Sequence, residues 1–127
     1  MRLAYNNLPV GVMLYDGATI EFDDRTLAHL HVVVINRLRR AEGLSMSWVD
    51  GVSSGGGRSS IWLSPNIPIY FKFDGGRAPS IDPDWIELLT RSAASSTGLI
   101  VTDEKGVPVR GSTYLQHRAW PAGHGTS

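Results

Sequence analysis

The chain has 127 residues, twelve acidic and twelve basic side chains, no cysteine and 42% hydrophobic residues. That size holds one domain, and that composition supports a packed core instead of intrinsic disorder. The absence of cysteine excludes disulfides and cysteine-ligated zinc or iron–sulfur centres. No apolar run reaches the roughly 20 residues of a membrane span, and the N-terminus lacks the apolar core of a secretion signal, so a cytoplasmic protein with no membrane partner is expected.

Residues 1–9 form an extension with few signals, and the folded unit is expected over residues 10–103. Val10 to Tyr15 and Ala18 to Phe22 flank Asp16-Gly17, a strong two-residue hairpin signal; Val12, Leu14, Ile20 and Phe22 are expected to share its buried face. A helix follows from Asp23-Asp24 to Glu42, with Leu27, Leu30, His31, Val34, Leu38 and Ala41 at spacings of three and four. Acidic residues open it, Arg37, Arg39 and Arg40 close it, and Gly43 is expected in the left-handed position beyond its end. Leu44 to Val49 alternates as a strand, Asp50 to Gly57 reads as a loop, and Arg58 to Leu63 and Ile67 to Phe73 read as two more strands. Pro68 points to an edge or a bulge.

Asp82-Pro83-Asp84 starts a second helix with a cap, a proline at its first position and an added negative charge. Gly98 ends it, and Leu99 to Val101 is the last expected strand. Residues 104–127, rich in Gly, Ser, Pro and His, show no period and are expected to be mobile; only Tyr114, Leu115 and Trp120 could tie them down. The fold class is therefore α+β: a small antiparallel or mixed sheet, order β-β-α-β-β-β-α-β, with two helices on one face.

Lys72-Phe73-Asp74-Gly75-Gly76-Arg77 satisfies K-x-D-G-x-R and resembles the adenylation motif of ATP-dependent DNA ligases and RNA capping enzymes. The resemblance implies Lys72 as the catalytic nucleophile on the α-phosphate of ATP, with Asp74, Gly75 and Arg77 around the nucleotide and ATP and magnesium as cofactors. Only 55 residues follow Lys72, and of the two lysines against ten arginines only Lys105 remains after it. The later lysine motifs of that family therefore have no counterpart, and Asp74-Gly75-Gly76 also reads as ordinary turn chemistry.

The segment from Ile20 to Val101 resembles a group of small actinobacterial proteins of uncharacterised function, commonly labelled ATP-dependent DNA ligases. Glu21 to Leu30, Leu38-Arg39-Arg40, Ser47-Trp48, Ile61 to Pro65, Ile67-Pro68, Pro79 and Asp84-Trp85 carry the resemblance. It implies the domain boundaries and that label, without an activity.

Other motifs read more simply. Gly51-Val52-Ser53-Ser54-Gly55 matches G-x-S-x-G, but a nucleophile elbow needs a following helix where a strand is expected. Gly55 to Ser59 lacks the lysine and helix N-terminus of a phosphate loop. The four histidines form no metal set, so no metal is expected; His31, on the apolar stripe, reads as a core residue and His29 as a solvated one. Arg37, Arg39, Arg40, Arg58 and Arg77 are candidates for an anion- or nucleic-acid-binding patch, set against the simpler reading of a solvated helix end. Trp48, Trp62 and Trp85 read as core or subunit-interface anchors.

These readings favour a non-catalytic binding or accessory protein without a cofactor, able to form homo-oligomers and with a protein partner left open. The alternatives are a ligase-like adenylylating protein using Lys72, and a weak nucleic-acid accessory factor.

Overall fold

The computed structural model describes residues 8–115; expectations placed on residues 1–7 and on His117, Trp120 and His124 lie outside them. Asp16 and Gly17 both take positive φ, 48° and 90°, as a type I′ hairpin requires. They join β1 (Val10–Tyr15) to β2 (Ala18–Asp23), with Met13 opposite Ile20 and Gly11 opposite Phe22. This register corrects the expected face of β1: Met13 and Tyr15 are buried with Ile20 and Phe22, while Leu14 is exposed. A two-residue turn sets Tyr15 against Ala18, so an even position on β2 faces an odd one on β1.

Asp23 caps α1 (Asp24–Arg39), its carboxylate accepting from the Thr26 amide at 2.9 Å and the Thr26 hydroxyl at 2.8 Å. At the other end the left-handed residue is Ala41 (φ 59°), not Gly43. Glycine at position 43 serves packing instead, because a Cβ there would lie 2.6 Å from the Trp62 ring. Beyond this turn β3 (Leu44–Asp50) pairs antiparallel with β4 (Arg58–Leu63) across a short 3-10 turn at Val52–Ser54. Strand β5 (Ile69–Lys72) pairs with β1 and forms one sheet edge, in keeping with Pro68 just before it.

Asp82 caps α2 (Pro83–Ala94) through the amides of Asp84 and Trp85, and β6 (Leu99–Ile100) then runs parallel to β3. The segment after residue 103 departs from expectation. Thr102 bridges to Pro108, and Arg110–Leu115 forms β7, which pairs with both β2 and β3. The mixed sheet has the order β4-β3-β7-β2-β1-β5, with β6 beside β3. Both helices cover one face, burying Leu27, Leu30, Val33 and Val34 of α1 and Trp85 and Leu89 of α2 against Met13, Phe22, Met46 and Leu99. Each such side chain contributes about 1.5–3 kcal/mol by leaving water.

Candidate functional site

Strand β7 meets β3 only at Val49–Arg110 and Asp50–Gly111, then continues along β2 as far as Leu115 opposite Ala18. The β3–β4 hairpin and the β2–β7 pair consequently diverge, and a cleft of about 490 Å³ opens between them. Ile20, Trp48, Ile61 and Ile67 line it, Ser59 and Thr113 supply hydroxyls, and Trp62 and Leu115 stand at its exposed side. The Tyr15 hydroxyl accepts from the Ser64 amide at 2.8 Å, tying the end of β1 to the end of β4. Trp62, expected as a core or interface anchor, is 63% exposed, whereas Trp48 and Trp85 are buried.

Asp50 organises the polar end of this cleft. It is buried, and its Oδ1 accepts from the Trp48 indole at 3.1 Å and from the Thr113 hydroxyl at 2.5 Å. Its Oδ2 accepts from the Ser59 hydroxyl, and the Trp48 indole also donates to Thr113 Oγ1 at 2.9 Å. Three strands are thereby joined around one carboxylate, and the Trp48 ring is held in place. Nothing in the loop-like run from Asp50 to Gly57 marked this role, because Thr113 comes from a strand with no hydrophobic pattern.

The K-x-D-G-x-R segment lies elsewhere. Lys72 is exposed on edge strand β5, opposite Val12, and successive side chains on a strand alternate faces. Phe71 turns towards α1, where its ring meets His31 edge-on at 4.8 Å, so Lys72 projects from the opposite face. The backbone amides of Asp74 and Gly75 are already engaged: they donate to Asp24 Oδ1 at 3.0 Å and Oδ2 at 2.7 Å. Asp24 is itself buried in the first turn of α1. A carboxylate of the chain thus occupies the amide pair that could otherwise face a phosphate oxygen. Arg77 is exposed and lines a separate groove of about 390 Å³ between residues 73–81 and the α1 residues Ala28, His31 and Val32.

The candidate arginines are dispersed. Arg37 and Arg40 contact Glu42 at 3.6 and 3.1 Å at the end of α1, where Arg39 is exposed. Their charges hold the Glu42 carboxyl below its usual range, chiefly through the hydrogen bond from Arg40. Arg58 starts β4 beside Val49, at the far end of the hairpin from Leu44 and Leu63, and Arg77 sits over the first half of α1. Helix end, loop and hairpin therefore bring no more than Arg37, Arg39 and Arg40 together.

The two histidines exchange their expected roles. His31 is exposed, and His29 is 0% exposed, stacked on Trp85 with ring centroids 4.0 Å apart. Helix α2 packs on the side of α1 carrying Thr26 and His29, a second buried face that the single apolar stripe did not reveal. Among the described residues no group of three His, Cys, Asp or Glu side chains is placed to hold a metal ion, and no helix is long and apolar enough to cross a membrane.

Residues 10–104 match a family model described as Domain of unknown function (DUF7882). No curated protein and no solved structure matches the chain.

Proposed function

The chain belongs to the DUF7882 family, a domain of unknown function, and on that premise we propose that it is a non-catalytic binding domain whose β4–β7 cleft takes a small, flat, mostly apolar molecule with one hydrogen-bonding end. The cleft carries this reading. Its volume of about 490 Å³ falls within the range of small-molecule sites, which combine apolar walls with a few placed polar groups. Trp48 and Trp62 supply aromatic surface, and the Ser59 and Thr113 hydroxyls meet at one end on the Asp50 carboxylate. The Asp50 hydrogen bonds hold Trp48 in advance, which reduces the entropy lost on binding.

The probe that tests this is the naphthalene dye ANS, followed by its fluorescence in a titration of the full chain. Saturable one-to-one binding is expected, weakened about tenfold in Trp62→Ala, the loss of one aromatic contact. A non-saturating signal, or equal binding by the variant, removes the cleft reading. Sedimentation on the same samples separates a competing occupant: a dimer that Trp62→Ala dissociates would make the cleft a contact between two copies. The adenylylating alternative has its own assay. Incubation with ATP and magnesium, followed by intact-mass measurement, would reveal an AMP adduct that Lys72→Ala abolishes, and such an adduct would replace the binding proposal.

A further inference from the structure

The connection between β5 and α2 is anchored at both ends by side chains of α1. At its start, Asp24 accepts from the amides of Asp74 and Gly75. At its end, His29 Nε2 accepts from the Asp82 amide at 2.9 Å. The other ring nitrogen, Nδ1, lies 2.7 Å from the Arg25 carbonyl and must donate to it, since a carbonyl can only accept. The two bonds together require a neutral imidazole with its proton on Nδ1. Between the anchors, residues 75–81 arch over Ala28 and Val32, with the 390 Å³ groove beneath.

We propose that residues 74–82 form an acid-released strap over α1: it is closed while His29 is neutral and detaches at its α2 end when His29 gains a second proton. Protonated Nε2 becomes a donor pointing at another donor, the Asp82 amide, so the anchor changes from attraction to repulsion. The Asp24 anchor is not part of this exchange and keeps the β5 end attached. Release is consequently one-sided, and the groove over Ala28 and Val32 opens towards α2.

Three charged groups face His29 from the elements around it: Arg25 of α1, Asp82 at the start of α2, and Glu104 of the turn after β6. Arg25 lies 5.0 Å over the Trp85 ring and is ion-paired with Glu104 at 3.0 Å. Burial lowers the His29 pKa below 6.5, the dominant influence; the positive charge of Arg25 adds to it, and the bond to the Arg25 carbonyl, Asp82 and Glu104 oppose it. The sign follows from linkage. The open strap, with a solvated imidazole, takes up its proton first as pH falls below about 6.5, so the closed form is fully favoured above that value and is lost progressively down to the lowered pKa.

Amide hydrogen exchange on the full chain, corrected for the intrinsic pH dependence of exchange, tests the strap. Protection of the Asp82 amide is expected to fall by up to about tenfold per pH unit below the onset of His29 titration, in step with the imidazole carbon shifts. The amides of Asp74, Gly75 and the β1–β2 pairing should stay protected over the same range. In His29→Gln, which cannot titrate, the pH dependence at Asp82 should vanish. If that variant fails to fold, the wild-type chain still decides the matter. An Asp82 amide that stays protected while His29 titrates, or one that loses protection only together with β1–β2, overturns the proposal.

Discussion

At the scale of single residues, Asp24 and Asp50 have the same design: each is a buried carboxylate whose oxygens accept hydrogen bonds from amides, hydroxyls or an indole of the chain itself. Because the donors they satisfy are also withdrawn from water, removing the acceptor costs more than the bond's net worth. Asp24→Ala is accordingly expected to lower unfolding free energy by about 1–3 kcal/mol in urea titrations, with lost exchange protection centred on Asp74 and Gly75. A stability change below a few tenths of a kcal/mol would show that solvent replaces the carboxylate without cost. Asp24 was legible as a helix-starting acid; its grip on a segment fifty residues away was not. That contact depends on β5 lying beside β1, which no local pattern encodes.

At the scale of elements, α2 shows how local and tertiary signals separate. Its start was legible because Asp82, Pro83 and Asp84 act through bonds and charges within one turn. Asp82→Ala should cost about 1 kcal/mol by loss of the cap. It leaves the backbone amide that His29 accepts from, so the acid sensitivity of the strap should persist in this variant; thermal melts at pH 7.5 and 5 separate the two effects. The exchange of roles between His29 and His31 was not legible for the complementary reason. A single stripe at helical spacing marks one buried side, and α1 has two: the sheet covers Leu27, Leu30 and Val34, and α2 covers His29 through Trp85.

At the scale of the whole molecule, the α+β class and the order of the first seven strands and helices were readable, because turn residues and hydrophobic periods punctuate them. The eighth such element, β6, is also where it was expected, but β7 was missed. Arg110-Gly111-Ser112-Thr113 lacks alternation because its central position calls for small and polar groups. A Cβ on Gly111 would lie 2.7 Å from the Phe22 ring, and Thr113 hydrogen-bonds Asp50. The cleft was invisible for the same reason, since β7 forms one of its walls. A chain ended at Val109 should therefore lose cooperative unfolding, seen as a broadened urea transition with a reduced m-value; a sharp, wild-type transition would make β7 an accessory strand.

The central place of β7 also bears on how the molecule is made. The β1–β2 hairpin with β5, and the β3–β4 hairpin with β6, can each pair soon after synthesis, yet among the described strands only β7 bonds to both halves. Ala18 must wait for Leu115, a partner at the other end of the described chain. During translation the inner edge of β2 and the Val49–Asp50 end of β3, which β6 leaves uncovered, are consequently open, and open strand edges are templates for wrong pairing. The last of the described strands to emerge from the ribosome closes them, so their final pairing is a late event dominated by long-range closure.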